Sequence, residues 1–344
     1  MTTVELPDTR PTLADVARTA GVSSATASRV LNGFPRVRPE TRKQVESAMA
    51  ELGYVRRRAA RMTSTPPRTR SVAFVVCEEG LRLFADPYFA RVVFGATREL
   101  TAAGMQLVLL TVPSTKDYQA SAVHYLSSGH VDGALCVSMH GRRPLDLENV
   151  GIPVVLGGRP VFGEGEGRFS YVDADNCGGA QTAVQYLIQK GRRTIGTVAG
   201  PRDMPAGADR LKGYRQVMAA ADRSDHGLVV FGDFGQASGE HATRRLLERR
   251  PDVDAIFAAS DLMALGVLRA LRRAGRKVPD DVAVVGFDDS PIGRHTDPPL
   301  TTIRQPIEEM GARMTRELLA MIAGSPAPPR CVILDTDLVI RDSA

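Results

Sequence analysis

From Ser23 to Asn32 the chain reads SSATASRVLN, and helical spacing puts Ser24, Ala25, Ser28, Arg29 and Asn32 on one face. Short side chains around a single long guanidinium suit a helix that sinks into a DNA major groove, where arginine forms a bidentate pair with guanine. A second set of chemically able residues stands where apolar runs end. Asp233 and Phe234 follow LVVFG, Ser260 and Asp261 follow AIFAA, and Asp288 and Asp289 follow VAVVGF. Ionised carboxylates accept strong hydrogen bonds from hydroxyls, so strand ends carrying them suit a hydroxyl-rich ligand. Asp261 and Asp289 equally suit the caps of helices that follow them.

The first set needs a small helical frame. Leu13, Val16, Ala17 and Ala20 recur at i, i+3, i+4 and i+7 and line one side of a first helix, which Gly21 can end. Ser23 is placed to cap a second helix whose inward residues are Ala27, Val30 and Leu31. Pro39 suits a first helical position, and Val45, Ala48, Met49 and Leu52 give a third helix that closes the core. Charge separates this head from ordinary packing helices. Residues 1–70 hold 13 Lys and Arg against 6 Asp and Glu, whereas the other 274 residues hold 31 against 33. Positive charge confined to one small segment is the footprint of a phosphate-binding module, because neutralising phosphates releases counterions. The stretch VRRRAARMTSTPPRTR, Val55 to Arg70, reads as a hinge, with Arg56, Arg57, Arg58 and Arg61 beside the head either as a solvated linker or in phosphate or minor-groove contact.

The second set needs strands. VAFVV, QLVLLT from Gln106, GALCVS from Gly133 and PVVLG from Pro153 alternate with helical stretches. TIGTVAG from Thr194, LVVFGDF from Leu228, AIFAAS from Ala255 and VAVVGFDD from Val282 form a second such series. Continuous apolar strands separated by amphipathic helices imply parallel sheets covered on both faces, and two series imply two similar lobes. Ligands of open parallel sheets sit beyond the carboxyl ends of the strands, so the cleft between lobes is the expected pocket.

At 344 residues and 43% hydrophobic, the chain can fill about two domains. The N-terminus MTTVELPDTR carries no apolar run after a basic start, and nowhere do 18 uncharged apolar residues follow one another, so a cytoplasmic protein is expected. Cys77, Cys136, Cys177 and Cys331 fall in no metal-ligand pattern, so neither zinc nor any cofactor is expected. The competing classes are an enzyme acting on a sugar or nucleoside in the cleft and a stand-alone binding module. GxSxG, GxxxxGK[ST] and HExxH are all missing, and neither class has a use for a DNA-reading head.

The motifs TLADVARTAGVSSATASRVLN, RPETRKQVESAMAELGY, DPYFARVVFGA, VDADNCGGA, RLKGY, AIFAASDLMALG, VAVVGFDD and PPLTTIRQP, in this order, resemble the LacI/GalR family of transcription regulators over nearly the whole chain. The resemblance implies a three-helix helix-turn-helix head, a hinge, and a periplasmic-binding-protein-like α/β core of two doubly wound parallel-sheet lobes joined by three crossing strands. Its expected boundaries are residues 10–56 for the head, 57–70 for the hinge, 71–168 with 299–328 for the N-lobe, and 169–298 with 329–344 for the C-lobe. It implies a homodimer on a palindromic double-stranded DNA operator, acting as a repressor whose affinity a small molecule, most often a sugar, controls from the cleft. No leucine heptads follow the last strand, so nothing suggests a coiled-coil tetramer.

Carried over position by position, Ser24, Ala25 and Arg29 read bases, with Thr12, Ser23, Thr26 and Asn32 near phosphates and Arg61 and Met62 in the hinge. The effector residues are Tyr88 and Phe89 from the N-lobe and Arg210, Phe234, Ser260 and Asp288 from the C-lobe: Phe234 stacks on a ring while Arg210 and Asp288 grip hydroxyls. The chain departs from the family pattern in three places. The leucine wedged into the minor groove falls on Thr63, beside Met62; an acidic ligand-binding position gives way to Gly157-Gly158-Arg159; and Arg38 replaces a capping serine.

Overall fold

The computed structural model describes residues 12–31, 37–52, 69–78, 80–113, 116–140, 145–148, 150–160, 168–324 and 328–344. The chain forms two compact units, residues 1–67 and 68–344. In the first, helices α1 (Leu13–Thr19), α2 (Ser24–Leu31) and α3 (Pro39–Leu52) enclose a core of Val16, Ala17, Ala27, Val30, Val45 and Ala48, as the helical spacing predicts. Leu13, Ala20, Met49 and Leu52 pack against its edge. Thr12 and Asp15 form a reciprocal capping box at the start of α1, and the Ser23 hydroxyl accepts from the Thr26 N–H at 3.1 Å at the start of α2. Gly21, at φ +67°, makes the turn between them.

The second unit is a two-lobed α/β body. Its chain runs β1 (Ser71–Val76), α4 (Gly80–Ala85), α5 (Pro87–Ala102), β2 (Gln106–Thr111), α6 (Lys116–Ser127), β3 (Gly133–Val137), β4 (Val154–Gly157) and β5 (Ser170–Ala174) in the N-lobe. In the C-lobe it continues as α7 (Asn176–Gln189), β6 (Ile195–Ala199), α8 (Pro205–Ala220), β7 (Val229–Phe231), α9 (Gln236–Arg249), β8 (Ala255–Ala258), α10 (Asp261–Arg273), β9 (Ala283–Asp288) and β10 (Thr301–Arg304). α11 (Ile307–Ile322), β11 (Cys331–Leu334) and β12 (Asp337–Val339) complete it. Among the described residues there are two six-stranded sheets, in the orders β2-β1-β3-β4-β5-β11 and β7-β6-β8-β9-β10-β12. Every pairing is parallel except that of β12 with β10. The central strands are almost entirely apolar and buried because helices cover both faces, as the long apolar runs imply.

The lobe boundaries differ from those expected. Ser170–Ala174 and Cys331–Leu334, assigned to the C-lobe by the boundary at residues 169 and 329, hydrogen-bond into the N-lobe sheet. Thr301–Arg304, assigned to the N-lobe, pairs with β9 in the C-lobe. Partners distant in sequence decide which sheet a strand joins, and its own apolar run carries no trace of them. The chain therefore passes between lobes after β5, after β10 and after β11.

Helices α5 and α11 touch backbone to backbone. A Cβ at Gly95 would run into the Glu308 carbonyl, and one at Gly311 into the Val92 carbonyl. Gly95→Val is expected to wedge the helices apart and cost about 1–3 kcal/mol or more, read as a lower denaturant midpoint. An unchanged midpoint would contradict the close crossing.

Candidate functional site

The carboxyl ends of both sheets open onto one cleft of about 830 Å³, including the space at its mouth. Tyr88, Phe89, Arg210, Phe234, Ser260 and Asp288, the six residues singled out in the sequence, all line it. Three of its lining residues, Ser138, Phe234 and Asp288, sit just at or after strand ends with φ of 60°, 70° and 121°. Such backbone strain in non-glycine residues gathers at functional sites, where the surrounding structure must hold it in place.

Arg210, at the heart of the cleft, projects from α8 with only 6% of its side chain exposed. Its Nε donates to Asn176 Oδ1 at 2.9 Å and its Nη1 to the Ala259 carbonyl at 2.5 Å, with Asp288 Oδ1 at 3.5 Å. The guanidinium lies 3.7 Å from the Phe287 ring centroid and 5.5 Å from that of Phe234. Nη2 has no protein hydrogen bond among the described residues and is not sealed from solvent, so a donor is left for a ligand. Burial lowers the Arg210 pKa, while Asp288 and Asp173 hold the cation in place.

Asp288 accepts from Gln305 Nε2 at 2.6 Å. Burial pushes its carboxyl up to about 6 despite the Arg210 cation, which pulls it down. Asp173, at the end of β5, accepts from the Arg159 N–H at 2.9 Å and from Asn176 Nδ2 at 2.9 Å, and Asp86 caps α5 through the Tyr88 N–H at 3.0 Å. Burial raises both carboxyls above the usual range. Tyr88 meets Phe89 edge-on at 5.4 Å, and Phe89, although it lines the cleft, is buried in the N-lobe core. Met139, Leu156, Met204 and Met310 complete an apolar lining around these polar groups.

The other strand-end polar residues are occupied by protein partners. Asp233 accepts from the Gly235 N–H and the Ser238 hydroxyl in its own turn. Ser260 rather than Asp261 caps α10, through the Met263 N–H at 3.1 Å. Asp261 is a buried tie that accepts from the Ser290 N–H and the Thr302 hydroxyl. Asp289 caps nothing: it binds Arg304 at 2.8 Å and Arg341 at 2.5 Å, joining the ends of β9, β10 and β12.

On the head, Ser24, Ala25 and Arg29 are exposed on α2, whose opposite face is buried. Thr12 and Ser23 are exposed, each engaged in a cap, and Ser23 also shares a 2.8 Å hydroxyl contact with Thr26. Asn32, Arg61, Met62, the arginines Arg56 to Arg58 and the Thr63 wedge position lie outside the described residues, as does the Leu31 side chain.

Two family models match the chain: bacterial regulatory proteins of the lacI family over residues 12–57, and the periplasmic binding protein-like domain over residues 184–344. The HTH-type transcriptional regulator CelR of Thermobifida fusca is 49% identical over 337 residues, covering 97% of this chain and 98% of CelR. This chain belongs to the lacI family of bacterial regulatory proteins. A structure of a CelR–cellobiose complex matches at 48% identity with a TM-score of 0.78, covering 97% of this chain and 100% of that one. The lac repressor dimer bound to operator and the anti-inducer ONPF matches at 26% identity with a TM-score of 0.71, covering 97% and 99%. The chain is thus a helix-turn-helix, DNA-binding transcription regulator whose relatives are regulators rather than enzymes. No helix among its described residues is long and apolar enough to cross a membrane.

Sequence reasoning missed several polar groups of this regulator's cleft, namely Arg82, Asp86, Asp173, Asn176 and Gln305. For Asp173 and Asn176 a signal existed: in SYVDADN an apolar strand turns acidic before it ends. Arg159, the departure in Gly157-Gly158-Arg159, bonds across the cleft to Asp209 at 2.8 Å.

Proposed function

We propose that this regulator is a repressor whose operator affinity is set by a sugar held between the core lobes, and that the sugar is a glucosyl disaccharide of the cellobiose type. The observation that carries the reading is the open Nη2 of Arg210, whose guanidinium is fixed by Asn176 and the Ala259 carbonyl beside Asp288 and the Phe234 ring. A pyranose has one apolar face and a rim of hydroxyls, so an aromatic plate beside charged forks fits it. Tyr88 and Asp288 flank that fork, and Ser260 and Phe89 shape the wall. The disaccharide choice rests on the relative, since the solved CelR structure is a cellobiose complex.

In this reading Ser24, Ala25 and Arg29 reach base edges while Thr12, Ser23 and Thr26 lie near phosphates. The chain works in the cytoplasm as a homodimer on a palindromic site, the lac repressor structure being a dimer on operator. Phe84 and Phe94, 82% and 64% exposed on the N-lobe, supply apolar surface that a second copy would cover.

The experiment is calorimetry and gel shift on the full chain with cellobiose, maltose, lactose and glucose. Cellobiose is expected to bind and to release operator DNA. By reciprocity, saturating operator should weaken cellobiose binding by the same factor. A sugar at about 100 times its Kd should add about 2.7 kcal/mol of stability by mass action. Operator binding indifferent to all four sugars, with no heat from any, would overturn the sugar assignment.

A further inference from the structure

The lobes are bridged at the cleft rim by a three-residue relay that shares no member with the Arg210 cluster. His140, just beyond β3 of the N-lobe, has Nε2 3.2 Å from Glu78 Oε1 and Nδ1 3.4 Å from Asp203 Oδ2. Asp203 lies between β6 and α8, in the C-lobe. Glu78 is fixed on the N-lobe side, where it accepts from the Ser138 hydroxyl at 2.6 Å and pairs with Arg82 at 3.5 Å. The neighbours of this relay, Ser138 and Met139 on one lobe and Met204 and Pro205 on the other, line the cleft. The His140–Asp203 contact therefore ties together two segments that line opposite walls of the cleft.

Imidazole chemistry makes this bridge conditional. A neutral ring carries one N–H and can donate to only one carboxylate, leaving a nitrogen lone pair facing the other. The imidazolium carries an N–H at each nitrogen and a positive charge, so it can bond Glu78 and attract Asp203 at the same time. We propose that His140 is a proton-dependent positioning residue that holds the lobes together over the effector, so that effector affinity is highest when the ring is protonated. This rests on the effector reading above.

Among the described residues, the charged groups facing His140 are Glu78 and Asp203, with Arg82 and Asp86 behind Glu78. The Glu78 hydrogen bond raises the His140 pKa above its ordinary value against the opposing effect of burial, and Asp203 adds to the rise. A raised pKa in the bridged state means that the bridge contributes fully below the ordinary histidine value, about 6.5, and is lost as pH climbs through the raised one. Two other cross-lobe links, Arg159–Asp209 and Arg91 to the Asp288 and Asp289 carbonyls, have no such dependence near neutrality, because arginine stays charged.

Two measurements on the full-length protein test the proposal. In the absence of sugar, NMR titration of ring-labelled histidines, with His140→Gln identifying the resonance, should place the His140 midpoint above the ordinary value. Asp203→Asn should bring it down. A midpoint at the ordinary value, unmoved by Asp203→Asn, overturns the bridge. Calorimetry with cellobiose in buffers of different ionisation enthalpy near pH 7.5 should then show proton uptake in the wild type and none in His140→Gln. As pH rises from the ordinary histidine value through the raised one, the wild-type affinity should fall several-fold while that of His140→Gln stays flat. Equal proton uptake in both proteins overturns the proposal. No heat from cellobiose in either protein contradicts the sugar reading instead, and the sugar-free titration still decides the bridge.

Discussion

Asp288→Asn is expected to shift the sugar response to roughly 10- to 150-fold higher sugar concentration while operator binding survives. The carboxylate stands 3.5 Å from Arg210 Nη1, is oriented by Gln305 and lines the cleft, so under the proposed function it meets the sugar with its geometry set. Hydrogen bonds to charged groups are worth about 1.5–3 kcal/mol, so the amide should weaken sugar binding roughly 10- to 150-fold. Asparagine keeps the shape but takes away the counterion of a buried guanidinium, so some loss of thermal stability should accompany it.

The pH dependence follows from the raised Asp288 pKa. Above about 6 the carboxyl is ionised and accepts from sugar hydroxyls; as pH falls through about 6 it gains a proton and affinity drops. The asparagine variant resembles the protonated form and should lack this acid limb. Together with the alkaline limb assigned to His140, the wild type should show greatest affinity between the two titrations. Calorimetry from about pH 5 to 8.5 on wild type, Asp288→Asn and His140→Gln separates the limbs, since each variant should erase only its own. Undiminished cellobiose heat in Asp288→Asn would remove Asp288 from the site.

The difference between what was legible in the sequence and what was not has a physical basis. The head was readable because three short helices share one small core, and each announces its buried face through i, i+3, i+4 spacing: Val16, Ala27 and Val45 all go to 0% exposure. The core strands were readable because a sheet covered on both faces demands uninterrupted apolar runs. The rule that ligands sit at strand carboxyl ends pointed to the edge of both sheets where the cleft opens, and the family resemblance supplied Tyr88, Phe89 and Arg210, which line it and for which the local pattern is silent.

The unread features depend on partners remote in sequence. Asp288 and Asp289 are adjacent and chemically identical, yet one lines the cleft and the other is held by Arg304 and Arg341. Nothing local distinguishes them, because strand register and the crossing of the last strands decide which carboxylate meets which guanidinium. The same holds for His140, whose two carboxylates lie 62 and 63 positions away on different lobes. The exchange of β5, β10 and β11 between sheets was hidden for the same reason.

Arg29→Ala should produce a comparable loss at the other end of the function. Arg29 is exposed on α2, and Ala27 and Val30 clamp that helix against Val16 and Val45, so the guanidinium is presented from a rigid support. A bidentate arginine–guanine pair contributes about 1–3 kcal/mol of discrimination, and a symmetric dimer loses one pair per half-site, so about 2–6 kcal/mol, or roughly 30-fold to more than 10⁴-fold, should disappear from operator affinity. Base reading and phosphate contact leave different signatures. Loss of a base contact relaxes preference at one position of each half-site and spares the salt slope, whereas loss of a phosphate contact weakens all sequences equally and flattens the slope by about one unit per contact. Arg29→Lys sharpens the comparison, because lysine keeps the charge and loses the planar fork: it should retain the salt dependence yet read the base poorly. Anisotropy titrations over a panel of singly substituted operators at several salt concentrations measure both quantities. Uniform weakening with a flatter salt slope in Arg29→Ala would move Arg29 to the phosphate backbone, and unchanged affinity with unchanged preference would remove it from the interface.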